Sequence, residues 1–163
     1  MSSAIVPSLI LLAGVIDDVM TRKVHNTLVI IGIAVGGIYA YFFGGVDQLV
    51  LGLLAMVLVL GLYVPLFLFK ILGGGDLKIM LAFAISTNWQ TVLSVTISAM
   101  IWALLLGLVR AALDRKLFSI FKNVWQMIST KNPISPEKLN RIPMTVALFF
   151  GWMSHLALNR GQL

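Results

Sequence analysis

From Leu49 to Phe69 the chain reads LVLGLLAMVLVLGLYVPLFLF, twenty-one consecutive residues without a charged side chain. The ~30 Å hydrocarbon core of a bilayer takes roughly 20 apolar residues in a helix, so this stretch alone is long enough to cross it. The rest of the chain offers little polar surface to do otherwise. Of 163 residues, 60% are hydrophobic and 11% charged, with a mean hydropathy of +1.00. Such a composition cannot cover a soluble core with polar side chains, and lipid is the expected solvent.

Six apolar segments follow from the hydropathy pattern: Ala4–Ile16, Thr27–Phe43, Leu49–Leu72, Leu77–Ser86, Thr91–Val109 and Pro143–Leu158. The expected fold is an all-α integral membrane protein, a bundle of about six transmembrane helices forming one domain over residues 1–163. The fourth segment is too short to span unless it continues through the turn at Asn88. Pro65 removes a helical hydrogen bond in the third and is expected to kink it. The N-terminus has no basic stretch and no small-residue cleavage site, so the first segment reads as a retained span.

Lysines and arginines set the orientation. Eleven of the twelve (Arg22, Lys23, Lys70, Lys78, Arg110, Arg115, Lys116, Lys122, Lys131, Lys138 and Arg141) fall in the first, third and fifth connections or beside them, against Arg160 alone on the other side. Those connections are expected in the cytoplasm and both termini outside. The net charge of +6 is explained by this pattern, and no nucleic-acid partner is expected. Within the long fifth connection, Leu113, Leu117, Ile120, Phe121, Val124 and Ile128 recur at helical spacing opposite Arg115, Lys122 and Gln126. This predicts a basic amphipathic helix in the headgroup region of the bilayer. Two prolines in NPISPEK, 132–138, end it.

Against this background the acidic residues stand out. Asp17 and Asp18 close the first span, and Asp76 follows three glycines in ILGGGDLKIM, residues 71–80. All three fall at the cytoplasmic ends of their spans. A single aspartate there could cap a helix or mark the water boundary. Ionisable groups at membrane depth are nevertheless costly and are candidates for function. Two neighbouring carboxyls share a proton. The ionised one can take a proton from water attacking a carbonyl, and the protonated one can polarise that carbonyl and serve the leaving amine. There are no cysteines, so disulfides, thiolate catalysis and cysteine-based zinc sites are excluded, and no metal or cofactor is expected.

GGGD at 73–76, followed by LK, resembles the GxGD motif of the type IV prepilin peptidases. DVMTRKVHN, Asp18 to Asn26, resembles that family's D-x-x-T-R-x-I-P-N motif, with His25 where the family usually has proline. RIPMTVALFFG at 141–151 resembles the I-P-x-x-x-A start of its last span. The resemblance implies Asp18 and Asp76 as catalytic residues and leaves Asp17 as a neighbour. It marks Gly73, Gly75, Arg22, Asn26 and Lys78 as motif positions that support the site or substrate. It implies removal of a basic leader from prepilins and pseudopilins at the cytoplasmic face of the bacterial inner membrane, just before the substrate's apolar helix. Without cysteines or a soluble insertion, the chain is similar to the small members that cleave without methylating, those serving tight-adherence (Flp-type) pili or the archaeal preflagellin peptidases. His25 is assigned no catalytic part, and Lys78, Arg22 and Lys23 read as interfacial anchors.

A small proton- or cation-coupled transporter component could use the same aspartates as a relay, and an assembly factor could use them as ion-pair partners. Transport would favour broken helices at mid-membrane and repeated halves, and no internal repeat is evident. Replacing each aspartate by asparagine separates the three readings.

Overall fold

The computed structural model describes residues 4–21, 23–69, 72–113 and 144–159. Regular structure among them is entirely helical: α1 (Ile5–Thr21), α2 (Asn26–Leu68), α3 (Gly74–Ala84), α4 (Trp89–Leu113) and α5 (Met144–Leu158). The amphipathic helix expected after Leu113 lies outside the described residues, as does Arg22. Ala103–Ile142 is a compact unit of its own, described only to the end of α4. Met1–Trp102 and Pro143–Leu163 make up the unit that holds both aspartates of interest.

The expected turn between the second and third apolar segments is a single break inside α2. Gly45 has φ 70° and ψ −166°, the only non-helical dihedrals within the helix. That region strains any residue with a Cβ, and glycine enters it without penalty. By 1.5 Å per residue the two halves are about 29 and about 35 Å long, each close to a bilayer core. The break folds them together, because a Cβ placed on Gly37 would lie 4.0 Å from Leu49 Cδ1. Pro65 sits in the last turns of α2, and the helix runs past it to Leu68.

Elsewhere the helix ends follow local chemistry. α1 runs five residues beyond the expected Ile16, carrying Asp17 and Asp18 within it. α3 stops at Ala84 and does not continue through Asn88, because the Ser86 and Thr87 hydroxyls bond back to Phe83 O at 2.9 and 3.3 Å. Asn88 instead opens α4, its Oδ1 accepting from Thr91 N at 2.8 Å.

α3 is the buried centre of the larger unit and packs against α1, α2 and α5. Ile79, Met80, Ala82, Phe83 and Ala84 are fully covered. Missing side chains allow the approach: a Cβ on Gly14 of α1 would collide with Ile79, and one on Gly52 of α2 with the carbonyl of Ile85. Polar groups in the interior are paired, as Tyr63 Oη is with Thr96 Oγ1 (3.2 Å) and Trp152 Nε1 with Ser8 Oγ (2.7 Å).

The outside is as apolar as the inside. α2 and Trp89–Val109 of α4 are long and apolar enough to cross a membrane. Their side chains are largely not hidden: Ile30, Phe42, Leu54, Val57, Ile97 and Leu104 are all exposed. A core helix of a soluble protein would cover such residues, whereas a surface facing lipid presents them.

Candidate active site

Asp17 and Asp18 are adjacent in α1, so their side chains leave the helix about 100° apart. The structure gives each a separate environment. Asp17 turns to the loop after α1, where His25 donates its backbone N–H to Oδ2 at 2.8 Å and its Nδ1 lies 2.8 Å from Oδ1. These bonds, the backbone one foremost, hold the Asp17 carboxyl below its ordinary value. His25 has φ −71° and ψ 138°, within the range of proline, so the loop keeps a backbone that proline could adopt. It also uses an N–H that proline lacks.

Asp18 turns inward to α5. Thr145 Oγ1 donates to its Oδ2 at 2.7 Å, across 127 positions of sequence. The site reading from sequence had no place for Thr145. The signals were its place inside RIPMTVALFFG and its position as the first hydroxyl of the last apolar segment.

Asp76 lies just ahead of the apolar segment 77–86, in the first turn of α3. Its Oδ2 accepts the backbone N–H of Gly73 at 3.1 Å, the acidic half of a capping box, which Gly73 has no side chain to reciprocate. The capping role that one aspartate can fill is therefore present. Among the described residues it occupies one oxygen, and Asp76 as a whole is 7% exposed. Burial first, with the charge of Asp18 adding to it and the Gly73 bond opposing, pushes the Asp76 carboxyl up to about 6.

Helix geometry explains why Asp18 and Asp76 sense each other. Gly14 of α1 meets Ile79 of α3. Asp18 lies one turn beyond Gly14, and Asp76 one turn before Ile79, on the same faces. Both carboxyls therefore sit at the same end of the α1–α3 contact, within electrostatic reach and without a hydrogen bond between them.

The remaining motif residues brace this end. Lys78 Nζ donates to Asn26 Oδ1 at 2.7 Å, linking α3 to the start of α2. To the sequence reading of Lys78 as an interfacial anchor the structure adds this specific bond. Gly74 and Gly75 are in the first turn of α3, and Gly73 precedes it with φ −77°. None of the three has positive φ, the sole such glycine among the described residues being Gly45. Their glycines serve close packing: a Cβ on Gly75 would lie 2.9 Å from Val24 Cγ2, and one on Gly73 3.0 Å from Asp76 Oδ2. A cavity of about 460 Å³ opens between α1 and the first half of α2, with Asp17 and His25 among its lining. Thr27 apart, the rest of its lining is apolar, and neither Asp18 nor Asp76 is part of it.

An all-helical apolar bundle with a buried carboxyl and a second one at the same end is a membrane protein equipped for acid–base chemistry. Residues 5–108 match the type IV leader peptidase family, and the chain belongs to it. That membership makes it an aspartic peptidase acting on prepilin-type substrates and, with its two long apolar helices, an integral membrane protein. The matched region contains Asp17, Asp18 and Asp76 and stops short of Thr145. No curated protein and no solved structure matches the chain.

Proposed function

We propose that the chain is a prepilin leader peptidase in which Asp18 and Asp76 form the catalytic pair. The observation that carries this reading is the α1–α3 packing, which brings these two carboxyls to one end of the bundle while Asp17 is engaged by His25. Asp76, buried and raised, enters the reaction as the acid, and Asp18 as the base. Water attacks the scissile carbonyl carbon as Asp18 takes one of its protons and Asp76 protonates the carbonyl oxygen. The tetrahedral diol then collapses: the C–N bond breaks, the amine nitrogen receives the proton from Asp18, and Asp76 recovers one from a diol hydroxyl. Both carboxyls return to their starting states without metal or covalent intermediate.

The substrate bond is the one between the basic leader and the apolar helix of Flp-type prepilins. The cytoplasmic placement rests on the eleven-to-one distribution of lysine and arginine, which puts the ends bearing Asp18 and Asp76 inside the inner membrane's cytoplasmic face and both termini outside. In this reading six segments enter the membrane, the halves of α2 counting as two; α3, about 17 Å long, crosses only part of the core and is covered by its neighbours, and the charge pattern after Leu113 assigns that stretch to the membrane surface. The absence of cysteines fits a peptidase that does not methylate its product.

Incubation of the purified protein in detergent with candidate prepilins, scored by product mass, tests the proposal. Asp18→Asn and Asp76→Asn should each abolish cleavage, and Asp17→Asn should retain substantial activity. Activity in Asp18→Asn with loss in Asp17→Asn would move the base by one residue. Cleavage by both Asp18→Asn and Asp76→Asn would end the pair as an active site.

A further inference from the structure

We propose that Thr145 is a positioning residue of the catalytic pair, its hydroxyl fixing one oxygen of Asp18 so that the other is left to meet the attacking water. The inference rests on the reading of Asp18 and Asp76 as the catalytic residues. It adds α5, a helix beyond the family match, to the machinery.

Thr145 is 1% exposed, and a hydroxyl buried that deeply requires a partner. Its proton goes to Asp18 Oδ2 at 2.7 Å, the length of a charge-assisted O–H···O bond. Asp18 sits in the last turn of α1, less covered than Asp76. Without a tether its χ angles could turn the carboxylate away from α3. Asp76 is held differently, by burial and by the Gly73 N–H on one oxygen. Among the described residues, each carboxyl thus has one oxygen engaged by protein and one left over, an arrangement suited to holding a water between them.

Among the described residues, the other charged or titratable groups near the pair do not replace Thr145. Asp17 is taken by His25, and Lys78 by Asn26. Tyr63 of α2, within electrostatic reach of Asp76, is bonded to Thr96. From α5 the contact to Asp18 is the Thr145 hydroxyl.

The substitutions that separate positioning from packing are Thr145→Val and Thr145→Ser. Valine keeps the volume and removes the hydroxyl, whereas serine keeps the hydroxyl and removes a methyl. Steady-state cleavage of a prepilin peptide in detergent should show kcat reduced about ten- to a hundredfold in Thr145→Val, with KM little changed, and near wild type in Thr145→Ser. A packing role gives the opposite order, with serine the more impaired and the less heat-stable. That order, or wild-type kcat in a folded Thr145→Val, would overturn the inference. Should Thr145→Val fail to fold, a strongly impaired kcat in a folded Thr145→Ser would overturn it equally. Asp18→Asn assayed alongside separates the two levels: if it cleaves, the catalytic pair itself is wrong. If it is inactive while Thr145→Val is normal, only the role of Thr145 falls.

Discussion

Lys78 and Asn26, 52 positions apart, are joined by a 2.7 Å hydrogen bond from Nζ to Oδ1. The bond ties the first turns of α3 to the start of α2, two residues beyond Asp76. The loop between α1 and α2 is held at its exit by three contacts. Asp17 binds His25 at its exit from the loop, Asn26 binds Lys78 one residue later, and Val24 is packed under Gly75. Asp18 and Asp76 therefore belong to helices whose mutual placement is fixed by this loop, not only by their own contact at Gly14 and Ile79.

If the bond acts as a strut, Lys78→Met and Asn26→Ala should each lower kcat about tenfold, by letting α3 shift relative to α1. The double variant should be no worse than the more impaired single, because both remove the same interaction. Additive losses would mean that the two residues act separately, for instance with Lys78 on the substrate.

The pairing of Asp17 with His25 predicts a pH signature. The folded-state pKa of Asp17 is lowered, so its contribution to stability is complete above the unfolded value and is lost as pH falls through the folded one. His25→Pro retains a φ suited to the loop but removes both donors to Asp17. Its thermal midpoint in detergent should be lower at neutral pH and should depend less on pH between about 5 and 3. Cleavage at neutral pH should persist in substantial part, since Asp17 is outside the pair and the Asn26–Lys78 and Val24–Gly75 contacts still hold the loop. An unchanged acid slope would show that His25 is not what makes Asp17 matter.

Much of this end of the molecule was legible in sequence because its residues are chemically conspicuous. Asp18 and Asp76 are carboxyls in an apolar chain, and the charge count and motif spacing brought them together before any coordinates. What escaped was everything carried by contacts rather than composition. Thr145 is one hydroxyl among many, and nothing local marks it as the partner of a residue 127 positions earlier. Val24 is an ordinary apolar loop residue until Gly75 is seen against it. The break in α2 was expected over the five residues GGVDQ, yet helical dihedrals persist everywhere except Gly45. Hydropathy locates where a span should end and carries no information on how few residues the turn needs.

The glycines of GGGD yield the last prediction, and it turns on whether they form a flexible turn or packed structure. A flexible, substrate-facing turn would lose turnover and little stability on substitution of Gly75. Here Gly75 lies in the first turn of α3 with its α-carbon against Val24, which is 6% exposed. A Cβ at 2.9 Å from Val24 Cγ2 is closer than packed carbon atoms tolerate, so the buried Val24 side chain must turn or the loop bearing His25 and Asn26 must move. Gly75→Val should therefore lose activity and also about 1–3 kcal/mol of stability, the usual cost of overpacking. Gly74→Ala should be mild, because its Cβ would meet only the ring edge of Phe67 at 3.3 Å. The decisive variant is Gly75→Ala combined with Val24→Ala, which makes room for the added methyl and should recover part of the cleavage rate lost in Gly75→Ala alone. Cleavage rate and thermal midpoint measured in the same detergent decide the matter. A Gly75→Val protein with a normal midpoint and no turnover would return this glycine to the substrate path.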